Sequence, residues 1–147
     1  MAGSPGAPID GAVLETFRER LRTHSLVARV ETEQVGGTPS IVVGHFDADW
    51  YPETVTAARI EIQWYVDDDY NFHYIEVHSD GSVWQCRWDR HSNPHVADTH
   101  FHRPPEADTT DVVDDPIGDV HPTDMLTRTL ANVRERIDQC WTEAGDR

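Results

Sequence analysis

Apolar residues fall first into a helical rhythm at Val13, Leu14, Phe17 and Leu21, which predicts an amphipathic helix over residues 12–23 capped by Asp10. Two β-rich runs follow, residues 26–35 and 40–46, split by Gly36-Gly37, a favoured hairpin connection. Residues 59–66 then alternate, with Ile60, Ile62, Trp64 and Val66 on one face and Arg59, Glu61, Gln63 and Tyr65 on the other. Residues 72–78 and 83–88 are further strand-like runs joined by Asp80-Gly81, so this region reads as a three-strand meander. Near the C-terminus, Leu126, Leu130, Val133, Ile137 and Trp141 form a helical stripe after Pro122-Thr123-Asp124.

The turns also predict a register. A two-residue turn at Asp80-Gly81 sets Val77 opposite Trp84, Ile75 opposite Cys86 and His73 opposite Trp88 on a shared face. A four-residue loop over 67–70 adds Ile60, Ile62 and Trp64 to that face and makes His73 a core histidine. The other face would collect Arg59, Glu61, Gln63, Tyr74, Glu76, His78, Gln85 and Arg87, with Tyr74 across from Arg87 and Glu61 across from Glu76. The fold class expected is α+β: an antiparallel sheet of about five strands, with an N-terminal and a C-terminal helix packed on one face.

A length of 147 residues suits a single domain, with residues 1–8 a flexible start and 104–122 an acidic linker or insertion. Charge adds more. There are 27 acidic residues against 12 arginines and no lysine, a formal net charge of -15. Self-repulsion of that size is largely screened only in molar salt, where the Debye length falls to roughly 3 Å, so the composition predicts a cytoplasmic protein of a salt-accumulating cell. Cys86 and Cys140 make no disulfide framework and read as buried thiols. No stretch approaches the length of a membrane span, and no membrane partner is expected.

Past Trp88, the segment holds His91, His95, His100 and His102 among Pro94, Pro104 and Pro105, a composition for an ordered loop or short extended pieces. Joined to Tyr74, Glu76 and Arg87, these histidines supply by type the general acid, general base and anion stabiliser of a metal-independent ribonuclease. No cofactor is implied. A competing expectation is a metal site on His91, His95, His100 and His102, although Pro94 disfavours the helix that would align the first two. Residues 87–103 hold Arg87, Arg90 and Arg103 against Asp89 and Asp98, which permits an RNA partner despite the overall charge.

The sequence His73-Tyr74, Arg87-Trp88-Asp89, Asn93-Pro94-His95 and His100-Phe101-His102, followed by a C-terminal helix, resembles the TumE-like family over roughly residues 65–137. Members carry an R-W-D-N-A-P-H-H stretch and a second histidine cluster, and are the toxin halves of toxin–antitoxin pairs. This chain departs from that pattern in placing Arg90-His91-Ser92 before Asn93 and in having one histidine after the proline. The resemblance implies a growth-inhibiting protein whose partner is an antitoxin from an adjacent gene, one with a helix-turn-helix. Ribonuclease activity is an inference from the residue set, with Arg87 as phosphate clamp, His91 or His95 and His100 or His102 as acid and base, and Tyr74 orienting. The alternative is a non-catalytic binding module whose histidine segment is a recognition surface.

Overall fold

The computed structural model describes residues 7–91, 98–115 and 121–145. Helix α1 (Gly11–Arg22) opens where Asp10 accepts a hydrogen bond from the Val13 amide, and its Leu14, Phe17 and Leu21 are buried. Strands β1 (Val27–Val35) and β2 (Thr38–Phe46) meet at a two-residue turn in which Gly36 and Gly37 both take positive φ. Strands β3 (Val55–Trp64), β4 (Tyr70–His78) and β5 (Val83–His91) form the meander. Strands β6 (Asp98–His102) and β7 (Val112–Asp114) extend it, and helix α2 (Pro122–Glu143) closes the chain.

The strands make one antiparallel sheet of seven in sequence order, against the five expected. The two additional strands lie in the histidine segment, expected as an ordered loop or short extended pieces, and in the acidic stretch, expected as a linker or insertion. Strand β6 is five residues and β7 three, too short for alternation to register, and the acids beside Val112-Val113 mask its β-branched pair. Asp115, inside that acidic stretch, is buried and paired with Arg128 of α2 at 2.7 Å.

Both helices cover the same sheet face. Phe17 of α1 meets Trp64 and Phe72 edge-on, while Leu126, Leu130, Val133 and Ile137 of α2 join the same buried cluster. Tyr70, Phe72 and Tyr74 contribute from β4, and Cys86 and Trp88 from β5.

The register corrects the expectation at one strand. Ile60, Ile62 and Trp64 of β3 and Trp84, Cys86 and Trp88 of β5 face the helices as expected. Strand β4 is turned over: Tyr74 pairs with Ile60 and Cys86, Phe72 with Ile62 and Trp88, and His73 with Glu61 and Arg87. Both loops cause this. At the second, Gly81 N–H donates to the His78 carbonyl and His78 N–H to the Ser82 carbonyl, so three residues rather than two sit in the turn, with Gly81 at φ +86°. Asp-Gly here completes a turn that ends in a left-handed residue and a bulge, the three-residue alternative to the tighter hairpin. The β3–β4 connection repeats that geometry: Asp68 N–H donates to the Tyr65 carbonyl, Tyr65 N–H to the Asp69 carbonyl, and Asp68 takes φ +66°. Each loop differs from expectation by an odd number of positions, so the errors cancel across the meander and invert only its middle strand.

Candidate active site on the face opposite the helices

Alternation along β5 sends Arg87, Asp89 and His91 to the face turned away from both helices. Strand β6 sets His102 beside Arg87 and His100 beside Asp89 on that same face. The centre is Asp89, which is buried. Its Oδ2 lies 2.7 Å from Nε2 of His102, 3.4 Å from Nε of Arg87 and 3.5 Å from Nε2 of His91, and its Oδ1 lies 3.5 Å from Nδ1 of His100. Four cationic or protonatable side chains therefore converge on one carboxylate.

They are not equivalent. His102 is enclosed, at 8% side-chain exposure, with Nδ1 also 3.3 Å from the Asp108 carbonyl, so both ring nitrogens are committed. The Arg87 Nη2 atom lies 3.4 Å from both of those nitrogens, the geometry of a guanidinium lying over an imidazole face. His91 and His100 keep 42% and 27% of their side chains open to solvent. Among the described residues, Asp89 Oδ1 is buried without a hydrogen-bond partner, because 3.5 Å to His100 is too long for one. Asn71, paired with Asp89 across β4, has a buried Oδ1 in the same condition. Two unpaired acceptors side by side are unusual in a folded interior and mark a place where a donor is wanted.

A family model for toxin TumE matches residues 17–137, most of the chain. The chain belongs to the toxin TumE family. The match runs from Phe17 in α1 through all seven strands to Ile137 in α2, so it spans both the buried cluster and the Asp89 site. Membership points to the toxin of a toxin–antitoxin system and implies an antitoxin partner in general. No curated protein and no solved structure matches the chain.

Of the residues expected at the site of this TumE-family chain, Arg87, His91, His100 and His102 are brought together. His95 lies outside the described residues. Tyr74 and Glu76 are displaced by the inversion of β4, and both are buried on the helix side of the sheet. There Glu76 forms two hydrogen bonds with Arg136 of α2, at 2.8 and 2.9 Å, and accepts from the Tyr74 hydroxyl at 2.7 Å. His78 reaches Glu76 Oε1 at 2.9 Å, and the Tyr51 and Tyr74 hydroxyls lie 2.6 Å apart. Burial, then the neighbouring Tyr51 and Glu76, pushes the Tyr74 phenol well above its ordinary range. Burial likewise raises the Cys86 and Cys140 thiols to about 12, so neither is a thiolate near neutrality. The expected opposition of Glu61 and Glu76 does not occur: Glu61 is paired with Arg59 at 2.7 Å and faces His73 across the sheet.

His73 is not a core histidine either. It lies beside Arg87 on the site's face, 2.7 Å from Gln85, and its half-burial holds its pKa below the ordinary imidazole value.

Among the described residues, no group of three or more His, Cys, Asp or Glu side chains has metal-binding geometry, and no helix is long and apolar enough to cross a membrane. Asp89, at the centre of the cluster, is not among the residues expected at the site. Its signal was the alternation of residues 83–88 carried three positions further, which places Asp89 in phase with Arg87 and His91.

Proposed function

We propose that this chain is the toxin of a toxin–antitoxin pair and cleaves RNA without a metal ion at the Asp89 cluster. The observation that carries this reading is the convergence of Arg87, His91, His100 and His102 on one buried carboxylate. His100 acts as general base, steadied through Nδ1 by Asp89 Oδ1 as their 3.5 Å contact tightens in the substrate complex, and presents Nε2 to a ribose 2′-hydroxyl. The deprotonated oxygen attacks the adjacent phosphorus, His91 gives a proton to the departing 5′-oxygen as the P–O5′ bond breaks, and a 2′,3′-cyclic phosphate and a 5′-hydroxyl result. Arg87 offsets the negative charge that grows on the phosphoryl oxygens. Asp89 and His102, both enclosed, hold Arg87 and the reacting histidines in place and are positioning residues. The antitoxin is the product of an adjacent gene, and the acidic, lysine-free composition suits the cytoplasm of a salt-accumulating cell.

Incubation of the purified chain with RNA in molar KCl and excess chelator tests this. New ends bearing 2′,3′-cyclic phosphate should appear, and Arg87→Gln should remove them. Intact RNA, or cleavage that the chelator abolishes, would reject metal-free transesterification.

A further inference from the structure

Among the described residues, strand β1 is bonded to β2 alone and is exposed along most of its length. Such an edge offers a row of unpaired N–H and C=O groups to any extended chain laid beside it. Folds protect edges with bulges and charge, and β1 has both, but neither covers all of it. Its register shifts lie near the ends, between Val27 and Arg29 and between Glu33 and Gln34, and the run from Arg29 to Glu33 is regular. The charged side chains of that run, Arg29, Glu31 and Glu33, alternate onto the face turned away from the helices, opposite His45, Val43 and Ile41. The helix side carries Val30 and Thr32, opposite Gly44 and Val42, and no charge.

That side of the edge is not flat. Two hollows follow one another between β1 and α1, with Arg18 in the wall of both. The first, about 250 Å³, is lined by Val27 and Val30 of β1 and by Arg18 and Arg22, one turn apart on α1. These arginines keep 40% and 52% of their side chains open to solvent. Their ion pairs with Glu15 and Glu19 engage Nη1 alone and are of the weak, exposed kind, so donors remain for a further carboxylate. The second hollow, about 210 Å³, lies beside Thr32 and is mainly apolar, with Ile9, Leu14, Pro39 and Val42 in its walls. Residues two apart on an added strand point to the same side of a sheet. One side chain would thus meet the arginines, and the next but one, if large, would reach over Thr32 into the apolar hollow.

We propose that β1 takes an extended segment of the antitoxin as an eighth strand, with a carboxylate between Arg18 and Arg22 and a large apolar side chain two positions away in the hollow beside Thr32. The source of the segment rests on the toxin reading of the family; its chemistry rests on the edge and the hollows. A second copy of this chain fits less well. Pairing β1 with itself would present Val30 and Thr32 to the hollows, neither a carboxylate nor a large apolar group. A two-fold axis normal to the sheet would also bring Arg18 and Arg22 of the two copies toward one another.

The probe is a seven-residue threonine peptide with glutamate and phenylalanine two positions apart, made in both orders and titrated into the full chain in molar KCl. One order should bind saturably, and its glutamine counterpart about fivefold more weakly. With Arg18→Gln and Arg22→Gln together, the two peptides should bind alike, on a chain that melts close to the parent because both side chains are exposed. Bound peptide should slow amide hydrogen exchange at alternate positions from Arg29 to Glu33, since only those N–H groups point away from β2. The purified complex with the adjacent gene's product should slow the same amides. His100→Gln should leave peptide binding unchanged, and intact RNA in the cleavage assay would bear on the Asp89 cluster alone. No saturable binding, equal binding of the glutamate and glutamine peptides by the parent chain, or β1 amides that exchange as fast in the complex as in the free chain would overturn the proposal. So would a chain that dimerises without peptide and protects those amides itself. Failure of the adjacent gene's product to bind would overturn the antitoxin as the occupant.

Discussion

Glu76 and Asp89 are buried carboxylates on opposite faces of the sheet, and their partners separate their roles. Glu76 is fully enclosed and answered by a bidentate arginine, a tyrosine and a histidine. Neutralising it strands the Arg136 guanidinium in a dry setting, so Glu76→Gln should destabilise the fold by about 3–5 kcal/mol in denaturant titration. Asp89 also faces His91 and His100, which remain open to solvent, and His100→Gln should cost under about 1 kcal/mol because no short hydrogen bond is lost. His73 links the fold to pH. Its folded-state pKa lies below the unfolded value of 6.5, so the unfolded chain takes up a proton first as pH falls. Stability should hold above that value and decline as pH drops through the interval down to the depressed pKa. Thermal melts should show this decline, and His73→Gln should flatten it, since glutamine can still reach Gln85. At this scale the grouping of Arg87, His91, His100 and His102 was legible from residue type and closeness in sequence, while their pairing across β5 and β6 was not. The inward turn of Tyr74 and Glu76 was not, because it follows from the two turns that flank β4, and the Arg136 that answers a buried Glu76 lies 60 positions away in the chain.

Among the elements, the helices and the first hairpin could be read directly: a stripe at helical spacing, a cap at Asp10, and two glycines able to take positive φ. The meander could be read strand by strand but not in register, since Asp80-Gly81 serves either a two-residue or a three-residue turn and one position inverts a strand. Asp68 was the harder case, because nothing in its residue type demands the left-handed conformation it takes. One close approach fixes how α1 lies on the sheet. A Cβ on Gly44 of β2 would stand 3.2 Å from Ile60 Cγ2 and 3.3 Å from Leu21 Cδ1. Gly44→Val should thus lift α1 and lower stability by about 1–3 kcal/mol, measured as a reduced denaturation midpoint at unchanged slope.

For the whole molecule, the charge of -15 acts against compactness in dilute buffer, while the ion pairs at Glu76 and Asp115 are enclosed and feel salt less. The melting temperature should rise substantially between low and molar KCl; equal melts would remove the case for salt adaptation. Strand β5 carries the Asp89 cluster, the proposed cleavage site, on one face of the sheet and Cys86 and Trp88 of the buried cluster on the other. The most direct test of the central claim is growth on expression without an antitoxin, comparing His100→Gln with Tyr74→Phe, each confirmed folded. The account predicts that the first abolishes growth inhibition and the second retains it. Undiminished inhibition by His100→Gln, or its loss in Tyr74→Phe alone, would contradict the assignment of activity to the Asp89 cluster.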